Sequence, residues 1–206
     1  MHPGSPASVA PVTSRPSEAR LAPLTDAEIA ADPEATRALR PFLDRDEPVL
    51  AIFRTLARHP DLLRRWLVFA NHILGKSTLD PRDRELAILR IGWLCRAPYE
   101  WGQHVLIGRG VGVDDADLDR IRQGPDAEGW TPRERTLLRA VDELHADACI
   151  GDATWADLSA DLDERQCLDL IFTVGQYQLV SMALNTCGVQ PDEHLRPFPL
   201  LDPRDP

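Results

Sequence analysis

The stretch RAPYEWGQH, residues 96–104, brings side chains that can bind and transfer protons into two turns of a helix. Glu100 and His104 stand at positions i and i+4, so they share one helix face. Trp101 lies three residues before His104 and can enclose the space beside the imidazole. Histidine titrates near neutral pH and acts as a general acid or base. The spacing predicts a catalytic face, although the same residues also suit a helix start whose aromatic side chains belong to the core.

A second carboxylate, Glu85, precedes His104 by 19 residues and lies near the start of the preceding helix. The linker CRAP, residues 95–98, is so short that the two helices must form a tight hairpin. Counted from the turn, Glu85 is about ten residues along one arm and His104 about six along the other. They are therefore not level, and a bent hairpin or an intervening water is needed to join them. The structural alternative is that Glu85 is only a first-turn carboxylate that pairs with Arg82 or Lys76.

The elements that must position these residues are helices. Apolar residues recur with helical periodicity through most of the chain, and strand-like alternation is almost absent, which predicts an all-α protein. We predict one helical domain over residues 25–198 and a loose end over residues 199–206. Residues 1–24 are rich in Pro, Ser and Ala without a periodic apolar pattern, and we expect a flexible tail there.

Capping signals mark where individual helices begin. A cap at Thr25 or Asp26 predicts a first helix that continues to about Leu39, and Asp80 before a proline begins the helix that carries Glu85. The segments LDPRDREL and LDERQCLD, which start at residues 79 and 162, resemble each other. This faint similarity predicts an internal pseudo-repeat of helical hairpins.

Composition limits the function classes. Acidic residues outnumber basic ones by 33 to 23, and the net charge of −10 disfavours binding to nucleic acids and anionic membranes. No signal peptide or uninterrupted apolar span is apparent. The cysteines have neither CxxC nor zinc spacing, so we expect reduced thiols in a cytoplasmic protein and predict no metal and no cofactor. They are Cys95, Cys149, Cys167 and Cys187.

The segment RELAILRIGWLCRAPYEWGQHVLIGRGVGV resembles the carboxymuconolactone decarboxylase family, which includes the alkylhydroperoxidase D proteins. The resemblance covers roughly residues 60–112. In the peroxidase branch, the motif runs Glu, eleven residues, Cys, two residues, Cys, three residues, His. This spacing matches Glu85 and His104, but the two cysteine positions hold Ala97 and Glu100. The resemblance therefore points to the branch of the family that does not use thiols.

This resemblance implies an all-α, AhpD-like fold with a central helical hairpin, assembly into a homo-oligomer, and cofactor-free acid/base chemistry on a small-molecule substrate. In the namesake decarboxylation, His104 would move the proton while Glu85 orients it, and Tyr99 would donate to an oxygen. Arg82 or Arg90 would hold a substrate carboxylate. Dehydration, isomerisation or lactone opening would use the same acid/base pair. Decarboxylation, a lyase reaction, is therefore one of several reactions that the resemblance allows.

Further residues are candidates for the wall of a substrate pocket. His145 and Tyr177 lie on helices of the second half, where they could face His104. Trp66 and His72 share a helix and would either roof the pocket or pack at a subunit interface. Gln176 also lies on an apolar helix, and we expect it to be a hydrogen-bonded core residue.

Two other functions remain open at this point. One is a thiol-dependent hydroperoxidase that uses Cys95, the only thiol close to the motif. The other is a non-catalytic ligand-binding protein that retains the helical scaffold. The apolar helix faces, together with the resemblance, also predict a dimer, trimer or hexamer rather than a monomer.

Overall fold

The computed structural model describes residues 15–195, and its regular structure there consists of helices without any strand. The predicted all-α class is therefore confirmed for the described residues. The ten α-helices of this part are α1 Asp26–Ala31, α2 Pro33–Leu43, α3 Ala51–Leu56, α4 Pro60–Gly75, α5 Pro81–Leu94, α6 Pro98–Gly110, α7 Asp115–Gln123, α8 Pro132–Asp147, α9 Asp152–Asp161 and α10 Glu164–Cys187. A short 3₁₀ helix, Glu193–Leu195, follows them. The loose end predicted at residues 199–206 lies outside the described residues.

Local side-chain caps explain where these helices begin. Reciprocal capping boxes start four of them, at Thr25, Asp114, Thr131 and Asp163. The first predicted helix, which was expected to reach Leu39, is in fact two helices. The break follows from Pro33, which disfavours a helical conformation for the residue before it, so Asp32 is extended and caps α2.

Helix α5 lies at the centre of the fold and packs against α6, α7, α8 and α10. Most of its residues from Asp83 to Gly92 are buried, including three charged ones. Arg90 shows how such a charge is accommodated, since its guanidinium binds both carboxylate oxygens of Asp142 at 2.6 and 2.8 Å. It also donates to the carbonyl of Ile121 at 2.7 Å. Paired charges of this kind fix how α5 sits among its neighbours.

Helix α10 is the longest described element, with 24 residues. Of the described helices it alone is long and apolar enough to cross a membrane by composition, but 56% of its most apolar window is buried within the fold. It is a core helix in this fold. The segment from residue 162 is therefore one continuous helix, whereas the similar segment from residue 79 forms the α5–α6 hairpin. The sequence similarity does not correspond to a repeated hairpin.

Residues 15–24 pack beside the C-terminal end of α10. The backbone N–H of Arg20 donates to the carbonyl of Cys187 at 2.8 Å. The helix then ends at Gly188, whose φ of +66° is left-handed. A Cβ at this position would lie 2.5 Å from the carbonyl oxygen of Glu18. Glycine is therefore required here, while the domain boundary predicted at residue 24 stays a prediction, since residues 1–14 are outside the described part.

We expect Gly188→Ala to lower the free energy of unfolding by roughly 2 kcal/mol, because the new Cβ adds left-handed strain and a backbone clash. Urea unfolding followed by circular dichroism measures this change. The matched control is Gly75→Ala at the exposed C-terminal end of α4, where a Cβ meets nothing within 4 Å. That variant should be unchanged or more stable by up to about 1 kcal/mol. Equal unfolding midpoints for the two variants would contradict this account.

Candidate active site

The hairpin of α5 and α6 brings the two motif residues together. Arg96, in the turn, has a left-handed φ of +48°, which reverses the chain within three residues. Beyond the turn the helices touch at Gly92, where a Cβ would lie 3.9 Å from the Cβ of Glu100. This close approach lets side chains on the facing sides of α5 and α6 reach one another. Glu85 and His104 are such a pair.

Glu85 and His104 form a direct hydrogen bond, with 2.7 Å between Glu85 Oε2 and His104 Nδ1. The offset of about four residues corresponds to roughly 6 Å along a helix axis. The glutamate side chain spans it, so no bridging water is needed. Both groups are buried, with Glu85 fully enclosed and His104 only 4% exposed. Arg84 Nε donates to the other oxygen of Glu85 at 3.3 Å.

The second nitrogen of His104 faces another carboxylate. His104 Nε2 lies 3.5 Å from Glu100 Oε2, which is the i, i+4 contact expected from the sequence. The ring of Tyr177 meets the imidazole edge to face, with 4.7 Å between the ring centres. Although two carboxylates flank the imidazole, no cluster of His, Cys, Asp and Glu within residues 15–195 is arranged to hold a metal ion.

Burial and charge set the protonation of this cluster. Burial alone would lower the pKa of His104, but the charge and hydrogen bond of Glu85, together with the charge of Glu100, raise it above its ordinary value. Burial raises the pKa of Glu100, and the nearby charge of Glu85 adds to this against the opposing charge of His104. Burial and the two carboxylates also raise the pKa of Tyr177. The raised pKa of Tyr177 favours the neutral phenol, and the raised pKa of His104 favours the imidazolium form.

His104 forms part of the wall of a cleft of about 1030 Å³. Helices α2, α3 and α4 line one part of this cleft, and α6, α10 and the segment around residue 192 line the rest. Glu85 and Glu100 are not in the wall and lie behind the imidazole. Trp66 and Tyr177, which were predicted to bind substrate, are both in the wall.

Asp192 organises one end of the cleft. Its carboxylate accepts hydrogen bonds from the backbone N–H of Ala51 at 3.0 Å and from Gln103 Nε2 at 3.1 Å. The hydroxyl of Tyr99 also donates to it. Burial and the adjacent Asp192 carboxylate raise the pKa of Tyr99. Tyr99 is therefore in the cleft wall, but its single hydroxyl proton is directed to Asp192.

The two arginines predicted to hold a substrate carboxylate lie elsewhere and have partners. Arg82 forms ion pairs with Asp117 at 2.8 Å and Glu134 at 3.0 Å. Arg90 is held by Asp142 within the core. Neither arginine lines the cleft, so geometry gives no support to their predicted role as substrate ligands.

Three other predicted pocket residues also lie outside the cleft wall. Trp101 is buried against Trp93, with 5.5 Å between ring centres. His72 Nε2 lies 2.9 Å from a carboxylate oxygen of α10. His145 Nδ1 lies 4.0 Å from the sulfur of Cys95. These residues are therefore not brought together with His104, and their predicted role in substrate binding has no geometric support.

The structure also places residues in the cleft that sequence reasoning missed. Gln176 was expected to be a hydrogen-bonded core residue, but it lines the cleft and hydrogen-bonds to no other described residue. The available signal was its position next to Tyr177 on an apolar helix. Gln103 and Asp192 gave no signal, because their contact links positions 89 residues apart.

Comparison with known proteins supports the motif. Residues 60–143, which include Glu85 and His104, match the carboxymuconolactone decarboxylase family. The resemblance predicted from these two residues is thereby confirmed, while assignment to a branch without paired cysteines stays a prediction. No curated protein matches the chain significantly.

Several solved structures share the fold. A peroxidase-related protein with an alkylhydroperoxidase AhpD core, from Ralstonia eutropha JMP134, has a TM-score of 0.72 at 19% identity, covering 85% of this chain and 94% of its own. A peroxidase-related protein from Silicibacter sp. TM1040 has a TM-score of 0.70 at 17% identity, covering 84% and 93%. The debrominase Bmp8, with 2,3,4-tribromopyrrole bound to a cysteine-to-alanine variant, has a TM-score of 0.66 at 14% identity, covering 88% and 96%. At these identities the likeness establishes the fold.

We expect Glu85→Gln to lower the pKa of His104, because it removes the adjacent charge and leaves the effect of burial. An NMR titration of the imidazole resonances measures this shift. An unchanged curve for His104 would show that Glu85 does not control its protonation.

Proposed function

With residues 60–143 matching the carboxymuconolactone decarboxylase family, we propose that the chain is a cofactor-free acid/base enzyme acting on a small oxygenated organic molecule. His104 transfers the proton and Glu85 is its positioning residue. The observation that carries this proposal is the imidazole of His104 in the cleft wall, held at 2.7 Å by a fully buried carboxylate.

The hydrogen bond to Glu85 defines the role of each imidazole nitrogen. Because Nδ1–H of His104 donates its hydrogen bond to Glu85, the proton that the imidazolium can transfer resides at Nε2. The carboxylate also stabilises the imidazolium form, in keeping with the raised pKa of His104. Orientation by a fixed carboxylate thus supplies both the correct tautomer and the basicity that proton transfer requires.

Glu100 and Tyr177 complete the proposed chemistry. Glu100 lies 3.5 Å from Nε2. Because its pKa is raised, Glu100 can exchange a proton with the imidazole at a higher pH than an ordinary glutamate. Tyr177 keeps its phenolic proton and has no described hydrogen-bond acceptor, so it can donate to a negatively charged oxygen of the substrate. Gln176, beside it, offers two further N–H donors.

A decarboxylation would use these groups in two steps. The bond between the carboxyl carbon and the α-carbon breaks, carbon dioxide leaves, and the electron pair passes into an enolate stabilised by Tyr177 and Gln176. The imidazolium of His104 then delivers its proton to the carbon and is reprotonated from solvent. An isomerisation, a dehydration or the opening of a lactone needs the same proton donor and the same oxyanion contacts, so all four belong to the proposed class of reaction.

The arrangement does not favour thiol chemistry at Cys95. Its sulfur is not part of the cleft wall, and burial raises the pKa of the thiol, which disfavours the nucleophilic thiolate. His145 is 4.0 Å away, too far for a strong hydrogen bond. The geometry thus favours the acid/base function over the hydroperoxidase function. Non-catalytic ligand binding is one outcome of the experiment below.

We expect His104→Ala to reduce turnover at least about 100-fold, because it removes the proton donor. The assay follows carbon dioxide release and ultraviolet absorbance with a panel of lactone acids, β-keto acids and uncharged lactones and ketones. Cys95→Ser and the alkylated wild-type protein are controls that should retain turnover. Loss of turnover on alkylation would favour the thiol function, and binding without turnover in every protein would favour a ligand-binding role.

We further propose that the chain self-associates through α10. Apolar side chains recur on one exposed face of this helix and are each more than half exposed: Leu168, Phe172, Leu179 and Met182. Their spacing of three, four and seven residues is that of a helix–helix contact. Water exposure of such a row is unfavourable, and a second copy of the chain would cover it.

A cytoplasmic location and the absence of nucleic-acid and membrane partners also stay predictions.

We expect Met182→Glu to shift the mass in solution towards that of one chain, because a charge at the end of the apolar row disfavours its burial. Size-exclusion chromatography with light scattering measures the mass. Trp155→Glu on α9 is the matched control, since Trp155 is also apolar and 43% exposed but lies on another helix. A single-chain mass for the wild-type protein would refute self-association.

A further inference from the structure

We propose that the cleft beside His104 takes an uncharged, planar carbonyl compound, such as an aromatic or conjugated lactone or ketone, rather than a carboxylate. This inference rests on the proposed function and narrows its reactions to isomerisation, dehydration and lactone opening, because the substrate of a decarboxylation must carry a carboxylate. It depends on the aromatic lining of the cleft, on the charges at its wall, and on hydrogen-bond donors that have no partner in the fold.

One wall of the cleft is a layer of aromatic rings. Phe42 and Phe53 stack with 4.0 Å between ring centres and an interplanar angle of 18°. Trp66 is the next ring in this wall, tilted by 44° to Phe53 with 6.3 Å between the two ring centres. Val49 and Leu67 fill the space beside them. Aromatic surfaces favour flat rings as ligands, because offset stacking buries both faces without strain.

The charges at the wall disfavour an anionic ligand. Glu47, Asp192 and Glu193 are the acidic residues of the lining, and Arg45 is the only arginine or lysine among the described lining residues. Arg45 is exposed, and its guanidinium lies 5.6 Å from the ring centre of Phe42 at the cleft margin. The charge of the His104 imidazolium is already balanced by Glu85. A carboxylate entering the cleft would therefore lose its hydration without a free buried cation to replace it.

Two donors are free to bind a carbonyl oxygen. The hydroxyl of Tyr177 and the side-chain amide of Gln176 line the cleft, and neither is hydrogen-bonded to another described residue. Both residues are at least 94% buried, and the surface that stays exposed includes their contribution to the cleft wall. A ligand carbonyl, which is a neutral acceptor, would satisfy these donors next to the imidazole of His104.

A pair of probes that differ only in one carboxylate tests the inference. Isothermal titration calorimetry compares coumarin, an uncharged aromatic lactone, with coumarin-3-carboxylate. We expect coumarin to bind at least about ten-fold more tightly, and we expect the same preference in His104→Gln. Equal or tighter binding of the carboxylate would overturn the inference, and so would the absence of binding by coumarin up to its solubility limit.

Three variants locate the binding site. Trp66→Leu should weaken coumarin binding about five-fold or more, whereas Trp155→Leu on the outer surface should leave it unchanged. Tyr177→Phe should weaken the binding of coumarin about five-fold but not that of naphthalene, which has no carbonyl to accept the hydrogen bond. Equal effects of Trp66→Leu and Trp155→Leu, or equal loss of both ligands in Tyr177→Phe, would refute this site.

The outcome separates this inference from the acid/base function. Because His104→Gln cannot transfer the proton, its binding preference is measured independently of turnover. Preference for coumarin without turnover on any substrate would refute the enzymatic proposal and retain the uncharged carbonyl compound as the ligand class. Turnover of lactone acids or β-keto acids through His104, combined with preference for the anionic probe, would remove the ligand class and leave the enzyme.

Discussion

The buried hydrogen bond between Glu85 and His104 is the constraint on which the rest of the structure depends. Removing a carboxylate and an imidazolium from water is costly, and the loss is offset only when the two charges meet with good geometry. The chain achieves this with a turn of three residues and with the contact at Gly92, where α6 touches α5. An isolated charge at either position would be strongly unfavourable. The relative placement of the two helices is therefore specified by chemistry as well as by packing.

The same logic extends around the whole of α5. Asp83 pairs with Arg133 of α8 at 2.7 Å, and Arg90 pairs with Asp142, also of α8, within the core. Glu85 points in a different direction, towards α6. A central helix buried on all sides has no polar face to orient it, so an apolar helix alone could rotate or slide among its neighbours. Each charged residue of these pairs holds α5 to one neighbouring helix, and together the pairs define one orientation of α5.

Much of the fold follows from local sequence signals, and so does the centre of the site. Periodicity and capping residues predict helices, and the short turn places Glu85 and His104 on the two arms of one hairpin. Their direct contact was not predicted, because counting residues does not account for the length of the glutamate side chain. The break at Pro33 was missed because the apolar pattern continues across it. The arginines were assigned to substrate because residue type alone does not show that Arg82 and Arg90 are satisfied by carboxylates some fifty residues away. Gln103 and Asp192 were missed for the same reason, since a contact across 89 residues leaves no local pattern.

The anchoring of Asp192 has a consequence for how the molecule is made. The cleft wall is assembled from α2, α3, α4, α6, α10 and the segment that follows α10, and Asp192 joins that last segment to α3 and α6. During synthesis the hairpin of α5 and α6 emerges long before residue 192, so the pair of Glu85 and His104 can form on a nascent chain that has no finished cleft. The pair of Glu85 and His104 is thus synthesised before the segment that completes the cleft around it. A chain that stops shortly before residue 192 would keep the central hairpin but leave the imidazole beside an unfinished wall.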